Sequence, residues 1–267
     1  MTSVKAKATG SGAAQGELWS ARARDWAEVQ EGTMLPLYEA VLARTRVGIG
    51  VQLLDAGCGS GMFCGLAAAR GARVAGLDAA EALVTIARQR VPDGDFRVGE
   101  IEDLPWAEAS FDLITGFNAF QYAADPVNAL REARRVARPG APVFIATWGE
   151  PLYCEAAAYL GALGALLPAP PPGAPGPFAF SEPGALERLA REAGLSPIES
   201  TVVECTWRYA GLETALRGLL AAGPAVRAMR HSGEEPVRRA VTTAIAPFRT
   251  VQGAYQIENT FRLLVAR

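Results

Sequence analysis

The stretch Val51–Gly61, VQLLDAGCGSG, constrains this chain more than any other. An apolar run stops at Asp55, and Gly57, Gly59 and Gly61 follow at alternate positions. An ordinary turn needs one residue that tolerates positive φ. Three in so short a stretch imply backbone that turns tightly and passes close to another group. VQLLD has the length of a buried strand, and SGMFCGLAAARG has the length of a helix, with Gly71 placed to end it. In an open parallel sheet, ligands bind beyond the carboxyl ends of the strands, and this loop starts at such an end.

The same alternation continues along the chain. RVAGLD, DFRVGE, FDLITGF and APVFIATWG read as strands, and AEALVTIARQRV and PVNALREARRVARPG as the helices between them. Strands alternating with helices imply an α/β, doubly wound sheet with right-handed crossovers and helices on both faces. ELWSARARDWAEVQ and LPLYEAVLAR read as two N-terminal helices, with Trp19 and Trp26 on one face of the first. After Trp148, YCEAAAYLGALGALL reads as a helix and PAPPPGAPGP as a stiff, exposed loop. SEPGALERLAREAGL reads as a helix capped by Ser181. PIESTVVECTWRY and AYQIENTFRLLVAR read as strands, separated by helical residues 211–250. The expected organisation is a disordered tail at 1–16, N-terminal helices at 17–48 over a ligand site, and one domain at 49–267 with cap elements at 150–180 and 211–250.

Composition narrows the partners. The formal net charge is −2, which offers no whole-chain attraction for nucleic acid or an anionic membrane. Cys58, Cys64, Cys154 and Cys205 form no CxxC pair and the chain has a single histidine, so neither a metal site nor a disulfide framework is expected. Scattered apolar cysteines fit a reducing cytoplasm. No apolar run is long enough for a membrane span.

Two common glycine loops do not fit. A dinucleotide fingerprint is GxGxxG, whereas the spacing here is GxGxG, with Met62 where the third glycine would fall. A P-loop needs Lys and Ser/Thr after its last glycine, and Gly61 is followed by Met62 and Phe63.

Asp55-Ala-Gly-Cys-Gly-Ser-Gly61 resembles motif I of the class I S-adenosylmethionine-dependent methyltransferases. GLDAA, VGEIEDLPWAEASFDLI and RRVARPGAPVFIATW resemble the later motifs of that family in the same order, over roughly residues 50–150. The pattern is similar to its small-molecule branch, which includes quinone-biosynthesis enzymes. The resemblance implies a Rossmann-like, seven-stranded sheet, mostly parallel with one antiparallel strand, carrying helical cap elements. It implies S-adenosylmethionine as cofactor and a small-molecule methyl acceptor.

Residue by residue, the resemblance places Gly57, Cys58, Gly59 and Gly61 under the methionine part of the cofactor, with Asp55 holding the loop. Asp78 ends the second strand, where a carboxylate suits two adjacent ribose hydroxyls. Ala79, Ile101 and Glu102 fall beside adenine, though the family often has Asp-Ala where this chain has Glu100-Ile101. Asn118 follows strand four beside the transferable methyl, and Trp19 and Trp26 would close over the cofactor. His231 is the candidate general base, as the only side chain with an ordinary pKa near neutrality. Tyr122, Trp148, Tyr153 and Tyr255 are candidates for an aromatic acceptor pocket. Two other classes stay open: a protein or non-transferase enzyme that uses the same cofactor pocket, and a nicotinamide-dependent oxidoreductase.

Overall fold

The seven segments read as strands form one sheet. The computed structural model describes residues 10–168 and 176–267. The outer tail, 1–9, and most of the proline-rich loop, 169–175, lie outside the described residues. The strands are β1 Gln52–Ala56, β2 Arg73–Asp78, β3 Asp95–Val98, β4 Leu113–Phe117, β5 Val143–Trp148, β6 Pro197–Tyr209 and β7 Tyr255–Ala266. Their order is β3-β2-β1-β4-β5-β7-β6. β1 to β5 pair in parallel, and β7 runs antiparallel to both β5 and β6. This is the expected doubly wound sheet with its one reversed strand. Strand order reverses between β1 and β4, so a crevice opens beyond their carboxyl ends.

Helices cover both faces. In chain order they are α1 Gly12–Ser20, α2 Ala23–Asp25, α3 Leu35–Arg44, α4 Met62–Ala68, α5 Glu81–Arg90, α6 Pro126–Val136, α7 Ala156–Gly164, α8 Ala185–Glu192, α9 Leu212–Leu219, α10 Gly223–Ser232 and α11 Glu234–Ile245. One apolar core joins α3, α4, α7 and α9 to α11 to one face of the sheet, and a second joins α6 and α8 to the other. α6 starts as its sequence predicts: Pro126 takes the first helical position and the Asp125 carboxylate accepts from Asn128 N at 3.0 Å.

The N-terminal segment departs from expectation. The helix begins at Gly12, inside the stretch expected to be a disordered tail, and ELWSARARDWAEVQ is not one helix. It breaks at Ala21 and Arg22, resumes as α2, and passes through a π-helical turn at Trp26–Gln30 and a 3-10 turn at Glu31–Met34. Docking explains the early start. The Gly12 N–H donates to Glu100 Oε2 at 2.6 Å, and a Cβ at Gly16 would lie 2.3 Å from Ala79 O, so only glycine lets α1 rest on the end of β2. Ser181 also differs from its expected role. α8 starts at Ala185 without a side-chain cap, and the Ser181 hydroxyl donates to Phe178 O.

The helices between β6 and β7 lie against this segment. Arg22 pairs with Glu234, Arg230 with Glu17, and Arg217 with both Asp25 and Glu28. Gly218 and Gly223 permit the close approach: a Cβ there would meet Gln30 Oε1 at 2.7 Å and Trp19 Nε1 at 2.7 Å.

Candidate cofactor site

The three loop glycines have different causes. All take positive φ: 80° at Gly57, 53° at Gly59 and 78° at Gly61. At Gly57 a Cβ would lie 2.3 Å from the Ala119 Cβ, so the loop is pressed against the turn after β4. At Gly61 it would lie 2.8 Å from the Ala87 Cβ, so this glycine lets α4 pack on α5. At Gly59 the nearest atoms are Glu31 Oε1 at 3.3 Å and Trp26 Nε1 at 3.6 Å, both from the N-terminal segment. Gly57 and Cys58 donate to Leu77 O at 2.7 and 3.0 Å, which ties the loop to β2.

A cavity of about 720 Å³, partly open to solvent, lies above this loop. Eight of the predicted cofactor residues line it: Gly57 and Gly59 from the loop, Asp78 and Ala79 from the end of β2, Ile101, Asn118, Trp19 and Trp26. Glu100, Phe117 and Tyr122 join them, with Ser11 just before α1 and Gly12 and Gln15 on it. Trp19 and Trp26 meet edge to face at 4.8 Å, and Trp19 meets Tyr122 at 5.9 Å. Because the chain turns between them, the tryptophans do not share one helical face.

Asp78 is the charged centre. Its Oδ2 accepts from Gly59 N at 2.9 Å and its Oδ1 from Ala80 N at 2.9 Å. Burial raises its pKa, while these amide hydrogen bonds oppose the rise. An ionised carboxylate has about four lone-pair sites, so each oxygen keeps capacity for one further donor. Asn118 sits at φ 50°, donates its backbone N–H to Ala146 O at 2.9 Å and accepts from Gln121 through Oδ1.

Four predicted cofactor residues do not line the cavity. Asp55 is buried beneath the loop, where Oδ1 accepts from Thr115 Oγ1 at 2.7 Å, and burial pushes its pKa up to about 8. Cys58 is buried and Gly61 packs α4. Glu102 braces α6 instead, accepting from Asp125 N at 3.1 Å through its carboxylate and from Asn128 Nδ2 at 3.0 Å through its carbonyl.

His231 is exposed on α10 and is absent from the cavity wall. Of the aromatic candidates only Tyr122 reaches the cavity. Trp148 packs against Phe178, Trp207 and Phe261, Tyr255 is in the core, and Tyr153 is 60% exposed. Burial holds the Tyr122 hydroxyl neutral, with its pKa pushed up to about 12.

Glu31 was not expected here. It is 2% exposed and accepts from Ser60 N at 3.1 Å, from the Ser60 hydroxyl and from Met62 N at 3.4 Å, while Arg90 pairs with it at 2.6 Å. No local pattern in EVQEGTM marks it, because its partners lie 29 to 59 residues away.

A glycine-floored cavity with a half-buried carboxylate at the end of β2 defines a nucleoside-binding α/β protein of the class I methyltransferase fold. Sequence comparison agrees: a family described as a methyltransferase domain matches residues 54–145. The ubiquinone biosynthesis O-methyltransferase of Thiobacillus denitrificans is 33% identical over 160 residues, 57% of this chain and 67% of that relative. The malonyl-[acyl-carrier protein] O-methyltransferase of Serratia marcescens is 40% identical over 98 residues, 37% of this chain and 38% of that relative. The chain thus spans about two fifths of the length of the malonyl-[acyl-carrier protein] relatives it matches. Among solved structures, the [4+2]-cyclase SpnF has the same fold, with a TM-score of 0.55 at 20% identity over 86% of this chain and 80% of that one. The chain belongs to the class I S-adenosylmethionine-dependent methyltransferase family, of the quinone-biosynthesis-like kind.

The family's cofactor is S-adenosylmethionine, and the chemistry of the cavity wall fits it: the Asp78 carboxylate accepts from the Gly59 and Ala80 amides and is suited to take hydroxyl donors from a ribose.

Proposed function

We propose that this protein transfers a methyl group from S-adenosylmethionine to a small-molecule acceptor. The observation that carries the reading is the Asp78 carboxylate at the cavity wall, held by the Gly59 and Ala80 amides with one free site on each oxygen. Asp78 would accept from the two ribose hydroxyls, with Ala79 and Ile101 against adenine. Gly57 and Gly59 would pass beneath the methionine part, Asn118 would border the reacting centre, and Trp19 and Trp26 would cover the ligand. When bound, S-adenosylmethionine supplies a methyl group already activated on a sulfonium.

The chain's own contribution is alignment and exclusion of water. Orienting two reactants contributes about 7–11 kcal/mol in favourable cases. The ionisable side chains among the described residues lining the cavity are Asp78, Glu100 and Tyr122. Asp78 and Glu100 accept from backbone amides, and Tyr122 stays neutral. We therefore assign no general base, and His231 is not proposed as one. This favours an acceptor whose nucleophile needs no proton removed by the enzyme, such as a carboxylate or a neutral amine.

A second reading keeps the cofactor cavity without methyl transfer, since a fold does not fix a reaction. The lack of an assigned base is the observation that favours it. Incubation with methyl-labelled cofactor and a small-molecule library distinguishes the two. Methyl transfer predicts label in an acceptor with equimolar S-adenosylhomocysteine. Tight cofactor binding with no label transferred would support the second reading. The buried, free cysteines favour a cytoplasmic location, and the net charge of −2 argues against a nucleic-acid partner.

A further inference from the structure

The charges on the cavity wall all have one sign. They are the Asp78 and Glu100 carboxylates, and among the described residues no Lys, Arg or His lines the cavity. The wall beside Asn118 is aromatic. Tyr122 closes the 3-10 turn Phe120–Tyr122, and its ring meets Trp19 edge to face at 5.9 Å and 72°. Trp19 in turn meets Trp26 at 4.8 Å and 86°, so successive half-buried rings stand near right angles along the wall. Trp19 is fixed from behind. Its Nε1 donates to Gln15 Oε1 at 3.3 Å, and a Cβ on Gly223 of α10 would lie 2.7 Å from that nitrogen. Its one polar atom is engaged, so it offers a ligand ring surface.

Three kinds of acceptor atom fare differently here. A carboxylate taken out of water would meet two carboxylates and no cation. A phenol must lose a proton, and the lining groups are unsuited to take it: Asp78 and Glu100 accept from backbone amides and burial keeps Tyr122 neutral. An amine enters in its neutral form, which desolvation favours. Its product is a cation, and aromatic faces and carboxylates both attract cations. We propose that the methyl acceptor is a small amine, and that Tyr122 and Trp19 form the wall against which positive charge develops on its nitrogen. The nitrogen lone pair forms the new N–C bond as the C–S bond breaks, and the electron pair of that bond stays on sulfur. The positive charge thus passes from sulfur to nitrogen, and a product that carries an N–H releases its proton to solvent. This rests on the cavity being a methyl-transfer site and names the substrate class for it.

The test uses the full chain, methyl-labelled S-adenosylmethionine, and a library in which each skeleton is present as its amine, its phenol or alcohol, and its carboxylic acid. The fate of the label identifies the acceptor atom. An N-methyl product is retained on a cation exchanger and survives alkali, an ester releases methanol in alkali, and an ether is neutral and survives. Label is expected in amines and not in their oxygen counterparts. For a labelled amine, Tyr122→Phe should keep the wild-type acceptor KM, whereas Tyr122→Leu should raise it about twofold to thirtyfold with S-adenosylhomocysteine affinity unchanged. Label released as methanol or held in an ether overturns the amine assignment and leaves methyl transfer standing. An unchanged KM in Tyr122→Leu, or an equal rise in both variants, overturns the role of the Tyr122 ring. Bound cofactor with no label in any member of the library overturns methyl transfer and this inference together.

Discussion

Replacing Asp78 with alanine removes the carboxylate on which the cofactor reading depends. The structure gives the size of the effect. Each oxygen accepts one backbone amide at 2.9 Å and keeps one site for a ribose hydroxyl. A hydrogen bond to a charged group contributes about 1.5–3 kcal/mol, so two lost ribose contacts predict about 3–6 kcal/mol, or roughly 10²- to 10⁴-fold weaker binding. The Gly59 and Ala80 amides also lose their acceptor, so the loop loosens and the lower half of that range is a floor. Asp78→Asn keeps one oxygen and should fall between wild type and alanine. Burial raises the pKa of Asp78, so wild-type affinity should decline as pH falls through that raised value, and the alanine variant should lose this dependence. The assay is titration with S-adenosylhomocysteine, with urea denaturation alongside to confirm that each variant is folded. A folded Asp78→Ala protein with wild-type affinity would refute the ribose role.

Four further outcomes follow. Gly57→Ala places a Cβ 2.3 Å from the Ala119 Cβ at a φ of 80°, and should cost at least about 2 kcal/mol in denaturant unfolding with a loss of cofactor binding. Asp55 has a folded pKa of about 8 against 3.8 unfolded, so the folded state holds the extra proton. Its contribution is full below the unfolded value and is lost as pH rises through about 8. Asp55→Asn should therefore flatten the stability profile over that window by up to about 1.4 kcal/mol per pH unit, measured by thermal unfolding against pH. Arg217→Ala unties the insert from Asp25 and Glu28 and should speed S-adenosylhomocysteine release a few-fold at most in stopped-flow tryptophan fluorescence, with high salt mimicking it in the wild type. His231→Gln should leave methyl transfer and its pH profile unchanged, since the residue is exposed and off the cavity.

The sheet was legible because the central strands are apolar runs bounded by turn residues, and those runs end where the cavity begins. Asp78 could be placed from RVAGLD alone, since the last residue of a parallel strand lies at the ligand edge. The N-terminal half of the site was harder to read. GSGAAQG has the composition of a linker, and it is helical because Gly16 fits over Ala79 O and Gly12 donates to Glu100, contacts that span more than 60 residues. Glu31 reaches Ser60 and Arg90 for the same non-local reason. The position of His231, by contrast, was available in the sequence. Ala225, Val226 and Ala228 form the buried face of α10, and that spacing turns Arg227, Arg230 and His231 outward together. The strand period likewise puts Trp148 with Phe144 and Ala146 on the core face.

The most direct measurement is a crystal structure of the complex with S-adenosylhomocysteine. The account predicts both ribose hydroxyls within about 2.6–3.2 Å of the Asp78 oxygens, adenine between Ala79 and Ile101, and the amino-acid end over Gly57 and Gly59. A nucleoside bound away from the end of β2, with Asp78 touching only its two amides, would contradict it.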